Sequence, residues 1–262
     1  MKAVSKLEYK VPTFLPGPVK KEILLCLRDN ALDEQNIRYH EHTDGIIAGC
    51  GLVEENMKIG LVNGIVKFSG RLYKLREKAL VPYEHTDAWT VLKLRFAPQA
   101  QHREYTHYTA ELVLDSSTDI KPNEMEMGRF KLKKGSRLRT QYKDFWDMVT
   151  EFDTVNLVHV KQAACQSHTL NPAITTHFAR EAFRYLSENP LDCAFCSTCL
   201  SDGQPISREL IQRYVSNRLN RDYREMDNVQ LHVALGEVLD LISKRVRGDK
   251  GKGHKAGITL IN

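Results

Sequence analysis

The stretch Met57 to Lys78, MKIGLVNGIVKFSGRLYKLREK, constrains this chain most. Ile59, Leu61 and Val62 precede Asn63-Gly64, and Ile65, Val66 and Phe68 follow it. Asn-Gly between two apolar runs is the strongest short-range hairpin signal, because both residues tolerate the positive φ of a type I′ turn. A hairpin turn is therefore expected at Asn63-Gly64. Leu72, Tyr73 and Leu75 resume the pattern beyond Gly70. Gly60 and Gly70 inside strand-like sequence mark bulges or close backbone approach.

Neighbouring segments read as more of the same sheet. Ile46 to Val53 is apolar around Gly45, Gly49 and Gly51. Ala88 to Phe96 alternates apolar and polar residues, and Tyr105 to Leu114 is its expected partner across the loop Pro98 to Glu104. Met125 to Leu132 alternates again, and Lys133-Lys134-Gly135 supplies the turn after it. The first 135 residues thus read mainly as antiparallel β, with short strands and turn signals. Upstream, Glu22 to Asp29 reads as a strand or a buried helical turn, and periodicity does not choose. Asp29 to Asp44 reads as loop. Pro12, Pro16 and Pro18 give an extended N-terminal arm.

From Asn171 the pattern turns helical. Asn171-Pro172 and Asn189-Pro190 each combine an N-cap with proline at the first helical position. Ser207 opens a third helix, and Val229 to Val246 carries an apolar stripe for a fourth. That last helix either docks on its own domain or pairs with a partner. Tyr142 to Phe152 suits a short helix or an aromatic-anchored loop. The fold class expected is α+β: an N-terminal antiparallel β domain, a small helical domain, then an extended C-terminal tail. The boundaries expected are 1–20 for the arm, 21–155 for the β-rich domain, 156–247 for the helical domain and 248–262 for the tail.

At 262 residues the chain can bury a core, and 42% hydrophobic with 27% charged residues excludes disorder as the default. A net charge of +5 is too mild to imply nucleic acid by itself. No run reaches 18 apolar residues, so no membrane span is expected. The first residues lack an apolar signal core, and the six cysteines then read as reduced thiols in a cytoplasm.

Three patterns could carry chemistry. Cys193, Cys196 and Cys199 have the C-x2-C-x2-C spacing of zinc or iron–sulfur ligands, with Cys165 or His168 as a fourth. They equally fall along one face of the helix begun at Pro190, where cysteine packs as a small apolar residue, and that reading is preferred. His40-Glu41-His42-Thr43-Asp44 contains H-x-H-x-D, but Gly45 stands where a metal-dependent hydrolase would place histidine, so it reads as a polar turn. His85 to Asp87 and His102 to His107 are weaker. Lys244, Arg245, Arg247, Lys250, Lys252 and Lys255 form a basic run, read as a solvated terminus. No G-x-S-x-G elbow, phosphate-binding loop or dinucleotide fingerprint occurs. No catalytic, cofactor-binding or metal site is therefore assigned.

The order His42-Thr-Asp-Gly45-Ile-Ile, Gly49-Cys-Gly51-Leu-Val, the glycine-punctuated run from Met57 to Tyr73, then Asn123 to Leu132 and Lys134-Gly135, resembles the N-terminal β modules of baseplate and tail-fibre-attachment proteins of Firmicutes phages, prophages and phage-tail-like particles. The similarity spans roughly residues 40 to 145. It implies a non-enzymatic structural part near a baseplate, made in the host cytoplasm and built in several copies into a virion or tail-like particle. Its expected partners are copies of itself and other tail proteins, without nucleic acid or membrane. The alternative is a metal-dependent enzyme or a zinc-stabilised nucleic-acid-binding protein, resting on the cysteines, the H-x-H-x-D and the basic run.

Overall fold

The computed structural model describes residues 20–101, 106–185, 189–201 and 203–250, with side chains described up to 244. The proline-rich arm, the loop tip 102–105 and the tail with most of its basic run lie outside the described residues. The chain divides into two units, Met1–His42 and Thr43–Asn262.

In the first unit, Lys21–Tyr39 is a helix, α1. The expectation of a loop from Asp29 is corrected here. Residues 29 to 38, DNALDEQNIR, lack an apolar period but contain good helix formers and neither glycine nor proline. Glu34 pairs with Arg38 one turn on at 3.0 Å. Glu22 in the first turn and Arg38 in the last complement the helix dipole.

The second unit is α+β. Its strands are β1 (Gly45–Gly49), β2 (Leu52–Glu55), β3 (Lys58–Leu61), β4 (Gly64–Phe68), β5 (Arg71–Leu75), β6 (Ala79–Pro82), β7 (Thr90–Phe96), β8 (Ala100–Gln101), β9 (Thr106–His107), β10 (Ala110–Asp115) and β11 (Glu124–Phe130). Antiparallel pairing arranges them as β1-β4-β5, β2-β3-β6 and β10-β7-β11, with β8 and β9 a short ribbon. The expected partnership of β7 with the segment after it is present, Ala110 lying opposite Phe96 and Asp115 opposite Val91.

Asn63-Gly64 is not the hairpin turn expected. β3 pairs with β2 and β6, whereas β4 pairs with β1 and β5, so the dipeptide carries the chain from one sheet to another. The two-residue turns with positive φ at both positions are Asn56-Met57, joining β2 to β3, and Ser69-Gly70, joining β4 to β5. Gly64 is needed for space instead. A Cβ there would lie 2.4 Å from the Cys50 nitrogen, just past the end of β1. Gly60 is a close approach, as its place in the strand pattern implied, with the Ala79 carbonyl oxygen 1.8 Å from the position of a Cβ.

The helices are α2 (Pro172–Arg184), α3 (Pro190–Leu200), α4 (Arg208–Leu219) and α5 (Asn228–Lys250), with a single 3-10 turn at Trp146–Val149. Asn171, Asn189 and Ser207 cap the first three with their side chains, as the sequence indicated. Asp227 and Gln230 cap α5 reciprocally: Asp227 Oδ1 accepts from the Gln230 nitrogen at 2.8 Å and Gln230 Oε1 from the Asp227 nitrogen at 3.0 Å. One apolar core is built from the sheets and another from the helices, and Tyr142 and Ala173 pack against both. Residues 153–169 run back along the sheets. Arg139 pairs with Thr154, Arg129 with Asn156 and Ile46 with Gln162.

Candidate functional site

Five consecutive apolar residues, Ile23 to Leu27, wind more than one full turn of α1 and so point in every direction around its axis. A helix that is apolar all round is normally buried on all sides. Here no residue of α1 is buried, and Leu24 is 56% and Ile37 75% exposed. A second apolar surface lies on the helical half. Trp146, Val149, Val229 and Val233 are exposed. The Trp146 indole covers Gly236, where a Cβ would come within 2.3 Å of the ring.

The sequence-identified candidates are placed as follows. Cys196 and Cys199 are buried in the helical core and Cys193 is half-buried. Burial pushes the thiols of Cys196 and Cys199 up to about 12, so both stay protonated near neutrality. Cys165 is exposed, and the His168 imidazole is pushed down to about 4 by burial, then by Arg208 and Lys161. Among the described residues, no three His, Cys, Asp or Glu side chains are grouped to hold a metal ion. A chelator is therefore expected to leave the melting temperature of the purified protein unchanged; a fall of several degrees would restore the zinc reading. Asp44 accepts from the Ser69 nitrogen at 3.0 Å, and His40 Nδ1 lies 3.2 Å from the Ile37 carbonyl oxygen. His85 Nε2 lies 2.9 Å from the Ser136 carbonyl oxygen.

The sequence did not reveal an open cleft of about 600 Å³ between sheet and helices in the second unit. The β1–β2 connection, Gly49-Cys50-Gly51, forms one wall and the start of α2 another; Met127, Leu157 and Gln162 also line it. Asn171 fixes the start of α2 and hence its phase, which brings His177 and Arg180, one turn apart, to the cleft. His177 stands edge-on to the Tyr142 ring at 5.9 Å. Burial, then Arg180, holds its pKa below the ordinary histidine value, so it is neutral at pH 7. Burial raises the Cys50 thiol to about 11. The Tyr142 hydroxyl, also raised by burial, donates to the Val155 carbonyl at 2.7 Å. These groups are set to bind rather than to act as nucleophiles. The α2 cap was legible, but the opposite wall lies too far away in sequence for any local pattern to reveal.

Several buried charges outside the cleft are paired. Lys93, fully buried, contacts Glu124 at 3.3 Å, Asp115 at 3.2 Å and the Asp119 carbonyl at 2.7 Å. Arg139 grips Asp147 through two hydrogen bonds at 2.7 and 2.8 Å, and Arg218 meets Asp192 at 2.6 Å. Such pairs fix the fold.

An antiparallel β half followed by packed helices defines the class of this chain as α+β. No protein family and no curated protein is matched by the sequence. Among the solved structures that align with it, two are type VI secretion baseplate proteins. One is a chain of the type VI secretion system TssK-TssF-TssG baseplate subcomplex, at 10% identity and a TM-score of 0.38, over 90% of this chain and 100% of that one. The other is TssK, at 8% identity and a TM-score of 0.41, over 97% of this chain and 70% of that one. At these values the likeness establishes neither a shared fold nor a shared role. Among the described residues, no helix is long and apolar enough to cross a membrane.

Proposed function

We propose that the chain is a structural component of a phage tail or contractile tail-like particle, placed near the baseplate and linking tail proteins or fibres. It acts without catalysis, is assembled in the bacterial host cytoplasm, and contacts copies of itself and other tail proteins. The observation that carries this reading is α1, a nineteen-residue helix whose first half is apolar around its whole perimeter, from Ile23 to Leu27, yet which buries no residue. An isolated helix gains most of its stability from packing. One that is apolar on every side gains it only when neighbours cover more than one face. The glycine and strand pattern of residues 40 to 145 supports the same reading through its resemblance to tail β modules.

The test replaces Leu24 and Leu27 together by aspartate. Incorporation into the particle, read by co-sedimentation, is expected to fall at least tenfold, while the melting temperature of the isolated chain stays within about 2 °C, since surface substitutions cost little. Normal incorporation of the double variant would remove the assembly reading.

A further inference from the structure

Gln162 is 5% exposed and lines the cleft. Its backbone is occupied, the nitrogen donating to the Thr169 carbonyl at 3.1 Å and its own carbonyl accepting from the Thr169 nitrogen at 2.8 Å. Its side-chain amide has no partner among the described residues. The amide faces the open cleft rather than a sealed interior, so it is free to donate to and accept from a group that enters. Three more amides line the same space: Gln141, Asn171 and Gln204. Asn171 uses only its oxygen, which accepts from the Ala173 nitrogen at 3.0 Å, and keeps its NH2 to donate.

The charge of the lining is one-sided. Arg180 carries a permanent positive charge and has no ion-pair partner among the described residues. No carboxylate lines the cleft among the described residues. One guanidinium is matched by one carboxylate in a bidentate pair. It is too little for a polyphosphate or a nucleic acid, which call for several cations. Amides, which both donate and accept, match the donor and acceptor that every peptide group presents. The volume, about 600 Å³, falls within the roughly 300–1,000 Å³ of ligand sites and admits a short extended segment, not a folded domain.

We infer that the cleft binds an extended peptide segment of a partner protein through one acidic side chain held by Arg180, with the flanking peptide groups held by the amides of Gln162 and its neighbours. The inference does not rest on the assembly role of α1.

The test selects a yeast-displayed random heptapeptide library against the full chain and against its Arg180→Glu variant. The parent is expected to enrich peptides with Asp or Glu at one fixed position. Arg180→Glu should weaken those peptides at least tenfold and enrich Lys or Arg at that position instead. Arg180 is exposed, so the variant should melt with the parent. Gln162→Leu, which fills the same space without an amide, should weaken the selected peptides several-fold. Absence of an acidic preference, or a preference that survives Arg180→Glu, would overturn the inference. So would free glutamate, inorganic phosphate or a synthetic peptide of residues 251–262 binding as tightly as the selected acidic peptides, because each would name a different occupant.

Discussion

Gly60→Ala is expected to lower the melting temperature by roughly 10 °C, the equivalent of about 3 kcal/mol. The added Cβ would meet the Ala79 carbonyl oxygen at 1.8 Å and the Leu80 Cα at 2.9 Å. Both are backbone atoms of β6, so no side chain can turn aside. Nor can β3 retreat, because Gly60 is paired with Val53 on its other flank. Gly70→Ala is the control. Gly70 has a φ of +73° but nothing within 4 Å of a Cβ, so only the left-handed backbone is penalised, at about 1 kcal/mol. Thermal unfolding followed by circular dichroism separates the two; equal melting temperatures would contradict the close approach of β3 and β6.

Lys93→Met is expected to destabilise by about 3–5 kcal/mol, the usual consequence of removing one partner from a buried ion pair. The side chain of Lys93 is fully buried and that of Glu124 equally so. Methionine keeps the volume but leaves the Glu124 carboxylate to Arg95, at 2.9 Å, and the Lys121 nitrogen, at 3.2 Å. The acid limb should move too. Asp115 is held below the ordinary carboxylate range first by the Ser117 nitrogen and then by Lys93. For Glu124, burial acts upward but is outweighed by the Lys121 nitrogen, Arg95 and Lys93. Depressed carboxylates stabilise the fold above their unfolded pKa, and that stability is lost as pH falls through their lowered folded values. Without Lys93 the loss should begin at higher pH. Adding Glu124→Gln should recover part of the stability, and a double variant no better than the single one would show that the two groups are uncoupled.

The strands, caps and helices were largely legible because each is written in local periods and end signals. The Asn171 and Asn189 caps act on nitrogens two residues away, so a short window contains their whole cause. Asn63-Gly64 misled for the opposite reason. Its local propensity favours a turn, yet Gly64 is fixed by Cys50 across the sheet and by Leu75 beyond it. Met57, an unfavourable residue for positive φ, takes the turn position because β2 and β3 must close there. The second half of α1 was hidden by polarity, since its helix carries no buried face to create a period. The cleft was invisible because residues near 50, 141, 162, 180 and 204 meet only once the chain is folded.

The return of residues 153–169 to the sheets has a consequence for how the chain is made. Thr43 donates through its nitrogen at 3.0 Å and its hydroxyl at 3.3 Å to the carbonyl of Ala164, 121 positions later. During synthesis β1 leaves the ribosome long before that partner exists. Its outer edge must wait while more than a hundred further residues are added, at about 5–20 per second. Sheets closed by such distant pairings have high contact order and form slowly. The second unit is thus committed late, when the segment that leads into α2 emerges. A nascent chain stalled before that point presents an apolar sheet edge to whatever lies nearby.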